Sequence, residues 1–123
     1  MSKKRTNEIY IQDIIESCTL IQDYTIDYTF KTFSKDKKTI DAVIRNLEII
    51  GEAAKNLPKE VRDQYPDLHW RGMTGMRDKL IHGYFSVDVE IIWDTISKEI
   101  PKISQSKSSG TNIKQHCFSN INA

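Results

Sequence analysis

The sequence predicts an all-α protein, an antiparallel bundle of about four to five helices, and three observations carry that prediction. Apolar residues recur at spacings of three and four along most of the chain up to Ile103, no stretch alternates apolar and polar residues as a strand would, and the turn-forming clusters between periodic stretches are short. A chain of 123 residues buries one core, so residues 1–103 are assigned to a single helical domain and residues 104–123 to a polar, disordered tail.

The first helix is expected from about Asn7 to Phe33, with Ile11, Ile14, Ile15, Cys18, Ile21 and Ile26 on its apolar stripe. The cluster Ser34-Lys35-Asp36-Lys37-Lys38 interrupts it. Ile40, Val43, Ile44, Leu47, Ile50 and Ala54 then give the cleanest helical period in the chain, ending before Pro58, which disfavours helix in the residue ahead of it. Pro58 suits the first position of a short helical turn through Val61 and Arg62, closed by Tyr65-Pro66-Asp67. The next helix runs from Trp70 to Tyr84, with Gly83 near its end. Ser86 is the expected cap of the last helix, whose buried face is Val89, Ile92, Trp93, Ile96, Ile100 and Ile103, with Pro101 kinking or ending it. Trp70 and Trp93 read as packing anchors, because large amphipathic rings most often fill a core or its edge.

Composition narrows the function classes. The chain is 38% hydrophobic and 28% charged, without a run of about 18 apolar residues or an apolar signal core behind Lys3-Lys4-Arg5, so a cytoplasmic protein with no membrane partner is expected. Cys18 and Cys117 form no disulfide framework and are expected as thiols. A net charge of +1 is too small for a broad nucleic-acid footprint, so any such activity rests on a local site. His69, His82 and His116 are far apart in sequence, so neither a metal centre nor another cofactor is expected.

The stretch "RDKLIHGY" places Arg77, Asp78, His82 and Tyr84 within eight residues of one helix. Histidine titrates near neutrality and serves as general base or acid, while arginine offers a permanent planar cation to a phosphate oxygen. RNA carries its own nucleophile in the 2′-hydroxyl, so these two groups can suffice for phosphodiester cleavage. On an ideal helix Arg77 and His82 stand about 140° apart, whereas Arg77 and Tyr84 lie within about 20° of one side. One rigid helix therefore does not aim Arg77 and His82 at a single target, which favours a composite site across a homodimer. The spacing alone is common, and the same residues also fit a helix-surface arginine, a histidine favoured by the dipole at a helix C-terminus, and a packing tyrosine. Glu48 and Glu52, four apart, read as a solvated ion-pair face with Arg45.

The segments "GMRDKLIHGYF" and "DVEIIW", with "RNLEIIGEAAKNLP" and "HWRGMTGMR" before them, resemble the HEPN superfamily, specifically the HepT-like toxins with their R-x4-H-x-Y motif. The resemblance covers about Ile9 to Ile103. It implies a HEPN-like bundle working as a homodimeric, metal-independent endoribonuclease, with Arg77 and His82 catalytic and Asp78 supporting. It further implies the toxin of a type VII-like toxin–antitoxin pair, silenced when a minimal nucleotidyltransferase antitoxin of the MntA type transfers AMP to Tyr84. The alternative from another class is a non-catalytic helical dimer that binds nucleotide or docks a nucleotidyltransferase.

Overall fold

Thr6 opens the first helix, α1 (Asn7–Thr25), by accepting the Ile9 N–H on its side-chain oxygen. The computed structural model of the chain describes residues 6–82, 88–105, 107–108 and 111–112. Ile11, Ile14, Cys18 and Ile21 form the buried face of α1. The helix stops at Thr25 rather than running to Phe33. Thr25 returns its hydroxyl to the Ile21 carbonyl at 2.7 Å, and Asp27 takes the left-handed region at φ 63°, which an aspartate tolerates and a continuing helix does not. A separate short helix, α2 (Phe30–Ser34), follows, started by a reciprocal cap in which Thr29 and Thr32 each receive the other's backbone N–H.

Asp36 caps α3 (Lys37–Asn56): its carboxylate accepts the Thr39 N–H at 3.1 Å, the Thr39 hydroxyl at 2.8 Å and the Tyr28 hydroxyl at 2.6 Å. Those bonds, Tyr28's foremost, hold the Asp36 carboxyl below its ordinary value of 3.8. As expected, α3 ends before Pro58, with Leu57 already extended. Pro58 itself caps α4 (Lys59–Arg62) from outside rather than occupying the first helical position, because its ψ of 161° is still extended. Trp70 begins α5 (Trp70–His82) and fastens the preceding loop, its indole N–H shared between the carbonyls of Arg62 and Tyr65 at 3.1 Å each.

The last helical run starts with Asp88, whose side chain caps α6 (Val89–Asp94) by accepting the Glu90 N–H; Ser86, the expected cap, and the end of the expected Trp70–Tyr84 helix lie outside the described residues. A π-helical turn, Thr95–Glu99, follows, in which the Ile100 N–H reaches back to the Thr95 carbonyl. α7 (Ile100–Ser104) continues past Pro101, which directly follows the π-helical turn, so the helix does not end at the proline. Lys107–Ser108 and Thr111–Asn112 pair as a two-residue antiparallel ladder, a small piece of sheet within the segment expected as a tail.

The bundle is built around α3, which packs on α1 along one side and α5 along another, while α7 returns to α1 and α2 to α6. Val43, Ile44, Leu47 and Ile50 of α3 meet Leu80 of α5 and Ile92, Ile96, Ile100 and Ile103 of the last helical run in one core. Phe33 and Trp93 stack with ring centres 5.2 Å apart, so both tryptophans act as packing anchors. Among the described residues, no helix is long and apolar enough to cross a membrane. The fold is the all-α bundle the periodicity predicts.

Candidate active site

Met73, Met76, Arg77 and Leu80 share the packed side of α5, at the spacing that keeps residues on one face. Leu80 is fully buried and anchors the stripe. Arg77 is the charged member of that face, and its side chain is only 19% exposed. Its stem lies against α3 at Gly51, where a β-carbon would collide with the β-carbon of Arg77 and stand 2.7 Å from the Met73 carbonyl oxygen. The bare glycine is what lets α3 and α5 approach this closely.

The guanidinium emerges from that contact into two carboxylates. Nη2 donates to Glu52 Oε2 across the helix pair at 2.8 Å, and Nη1 donates to the neighbouring Asp78 Oδ1 at 2.9 Å. Nε is buried without a hydrogen-bond partner. The hydrogen bond to Asp78 is the largest cause raising the Arg77 pKa, offset in part by desolvation and reinforced by the charge of Glu52. The Asp78 carboxyl is held below its ordinary 3.8, first by the bond from Arg77, with burial opposing and the charges of Lys55, Arg77 and His82 adding to it.

His82 closes α5 and is exposed. Within one chain Arg77 is turned against α3 while His82 stands in solvent five residues on, so α5 presents the two groups on different sides, as the helical count predicts. Asp78 gives its carboxylate to Arg77 and touches His82's charge only at longer range. Tyr84 lies outside the described residues.

A groove of about 370 Å³ opens beside Arg77, lined by Tyr10 and Asp13 of α1, Arg45, Glu48 and Glu52 of α3, and Ile81 of α5 among others. Its charged lining holds three acids against Arg45 and Arg77, so a phosphate reaching Arg77 here must compete with carboxylates already in place. Among the described residues, no three His, Cys, Asp or Glu side chains gather as a metal site.

Glu52 is the residue that sequence reasoning misplaced. Arg45 does pair with Glu48, at 3.8 Å, but Glu52 turns from that face to Arg77. The available signal was Gly51 inside the strongest helical period of the chain: an interior glycine marks a close approach by another element, and the residue beside it stands at the edge of that contact.

The chain matches the family model described as "Ribonuclease HepT-like" over residues 14–108. It is 49% identical over 100 residues to a protein of Thermococcus cleftensis named "Probable ribonuclease HepT", covering 81% of this chain and 91% of that one. A protein of Methanocaldococcus jannaschii named "Putative RNase MJ0127" is 50% identical over 98 residues, 80% of this chain and 81% of its own. Another, from Caldanaerobacter subterraneus subsp. tengcongensis and named "Putative RNase TTE0752", is 45% identical over 101 residues, 82% of this chain and 90% of its own. No solved structure matches the chain.

Proposed function

The chain belongs to the HepT-like ribonuclease family, and from that premise we propose that it is a metal-independent endoribonuclease whose reaction centre is Arg77 and His82 drawn from two copies. The observation that carries this reading is the state of Arg77: a cation three-quarters or more withdrawn from water, locked between helices, at the edge of an open groove. Packed against a glycine and clamped by two carboxylates, its guanidinium is held in one place at the groove rather than free in solvent.

In the reaction, the imidazole of His82 takes the proton of the RNA 2′-hydroxyl as that oxygen attacks the adjacent phosphorus. The new bond from the 2′-oxygen forms as the bond to the 5′-oxygen breaks, and the leaving oxygen takes a proton from the imidazolium. Arg77 donates to the non-bridging oxygens, whose charge grows on the way to the phosphorane, so its contribution is larger in the transition state than in the bound substrate. Asp78 supports by holding one end of the guanidinium. Because one α5 presents Arg77 and His82 on different sides, a homodimer that sets the His82 of one copy opposite the Arg77 of the other completes the centre.

The off-switch in this reading is Tyr84. A minimal nucleotidyltransferase antitoxin that transfers AMP to its hydroxyl adds a phosphodiester charge close in sequence to Arg77, where it competes with the RNA phosphate and crowds the cleft. The protein is then the cytoplasmic toxin of a toxin–antitoxin pair.

The decisive experiment incubates partner-free protein with RNA in excess EDTA, wild type beside His82→Ala, and checks the products for 2′,3′-cyclic phosphate ends. Cleavage by the wild type alone establishes the mechanism. Equal activity in both, or none in either with Tyr84 shown by mass to be unmodified, refutes it and favours a non-catalytic dimer that binds nucleotide or a nucleotidyltransferase.

A further inference from the structure

We propose that Glu52 is a positioning residue for the reaction, the polar group that, among the described residues, ties the Arg77 guanidinium to another helix. The inference rests on the ribonuclease reading above. Arginine has five N–H donors spread over three nitrogens, and fixing its plane requires partners on at least two of them. Nε has none here, so the stem side of the guanidinium carries no polar anchor. The two Nη ends are therefore what set its plane, one through Asp78 and one through Glu52.

These two carboxylates are not equivalent. Asp78 is the next residue along α5, so it moves with Arg77 and cannot hold that side chain against anything else. Glu52 comes from α3, which packs on both α1 and α5, and reaches Nη2 at 2.8 Å. Its neighbour Gly51 brings the two backbones close enough for that reach. With both carboxylates in place, each Nη keeps one further hydrogen for a phosphate oxygen, so the clamp and the substrate can share the guanidinium. The charge of Glu52 also opposes the bound phosphate, so removing it is not expected to weaken RNA binding.

The test compares wild type with Glu52→Ala and Glu52→Asp in two measurements. Steady-state RNA cleavage is expected to show kcat for Glu52→Ala lowered about ten- to a hundredfold, the scale of a misplaced catalytic group. KM should be unchanged or lower, and the melting midpoint little changed, since Glu52 is half exposed. Glu52→Asp, which keeps the charge on a shorter stem, should recover part of kcat. In parallel, nitrogen-15 NMR of the arginine side chains, with Arg77 assigned by Arg77→Lys, should show separate Nη signals for Arg77 in the wild type that merge in Glu52→Ala as the guanidinium rotates freely. Wild-type kcat in Glu52→Ala, a rise in KM at constant kcat, or identical Arg77 Nη signals in both proteins overturns the proposal. Absence of cleavage by the wild type sinks the nuclease reading instead, and the NMR comparison then still decides whether Glu52 holds Arg77.

Discussion

Replacing Gly51 by alanine adds one methyl group at the tightest point between α3 and α5. That methyl would stand 2.7 Å from the Met73 carbonyl oxygen and overlap the stem of Arg77, short of ordinary van der Waals contact by about 0.7 Å. Neither obstacle is the far end of a flexible chain, so the two helices must separate. Overpacking of this kind costs about 1–3 kcal/mol, and alanine returns about 1 kcal/mol through its better helix propensity, leaving a net loss of about 1 kcal/mol. In a domain of this size that lowers the melting midpoint by about 4 °C. Gly75, on α5 itself, is the internal control: a β-carbon there meets nothing within 4 Å. Gly75→Ala should therefore stabilise by up to about 1 kcal/mol. Thermal melts followed by circular dichroism read both signs, and RNA cleavage reads the position of Arg77. A displacement approaching 1 Å should cost Gly51→Ala about ten- to a hundredfold in rate. If Gly51→Ala melts at or above the wild type and cleaves RNA as fast, the close approach of α3 and α5 does not set the site.

Further outcomes follow from particular contacts. Leu80→Ala empties a fully buried position on the helix that carries the motif and should destabilise by about 2–5 kcal/mol in urea titration. His82→Ala should leave the urea midpoint within about 0.5 kcal/mol of wild type, because the side chain is exposed, while cleavage is lost. Asp36→Asn keeps an acceptor for Thr39 but removes the charge that Tyr28 and Thr39 stabilise. Because the folded-state value of Asp36 is depressed, the wild type's advantage over Asp36→Asn should be in place above the ordinary value of 3.8 and close as pH falls through the lowered one. Stability curves for the two proteins that stay parallel to the acid limit would contradict that assignment.

The parts of the fold legible in sequence are those where one local rule decides. α3 shows in Ile40, Val43, Ile44, Leu47 and Ile50 because its apolar stripe is unbroken and its end is marked by Pro58. The break after Thr25 was hidden because Ile26 sits where a longer stripe would place it, yet the structure leaves it 68% exposed. What decides there is the capping of α2 by Thr29 and Thr32, a pair without the usual acidic partner that makes such a box conspicuous. At the site, the helix bearing Arg77 and His82, and their different sides, could be counted from the spacing. The partner of Arg77 could not, because Glu52 lies on another helix, and only the packing of α3 on α5 decides which of its acids faces the arginine.

The π-helical turn at Thr95–Glu99 gives the last helical run two phases rather than one. A wheel drawn through residues 89–104 at a constant 3.6 residues per turn sets Ile100 about 80° and Ile103 about 20° from Ile92; the wider turn shifts both by nearly one residue's rotation, and Ile92, Ile96, Ile100 and Ile103 all reach the core. A deep substitution scan of this segment will therefore show one periodicity up to Asp94 and the same periodicity, displaced, from Ile100. Removing a single residue between them turns the wide turn into an ordinary α-helical one and leaves α7 in phase, whereas inserting one rotates everything after it by about 100° and pulls Ile100 and Ile103 out of the core.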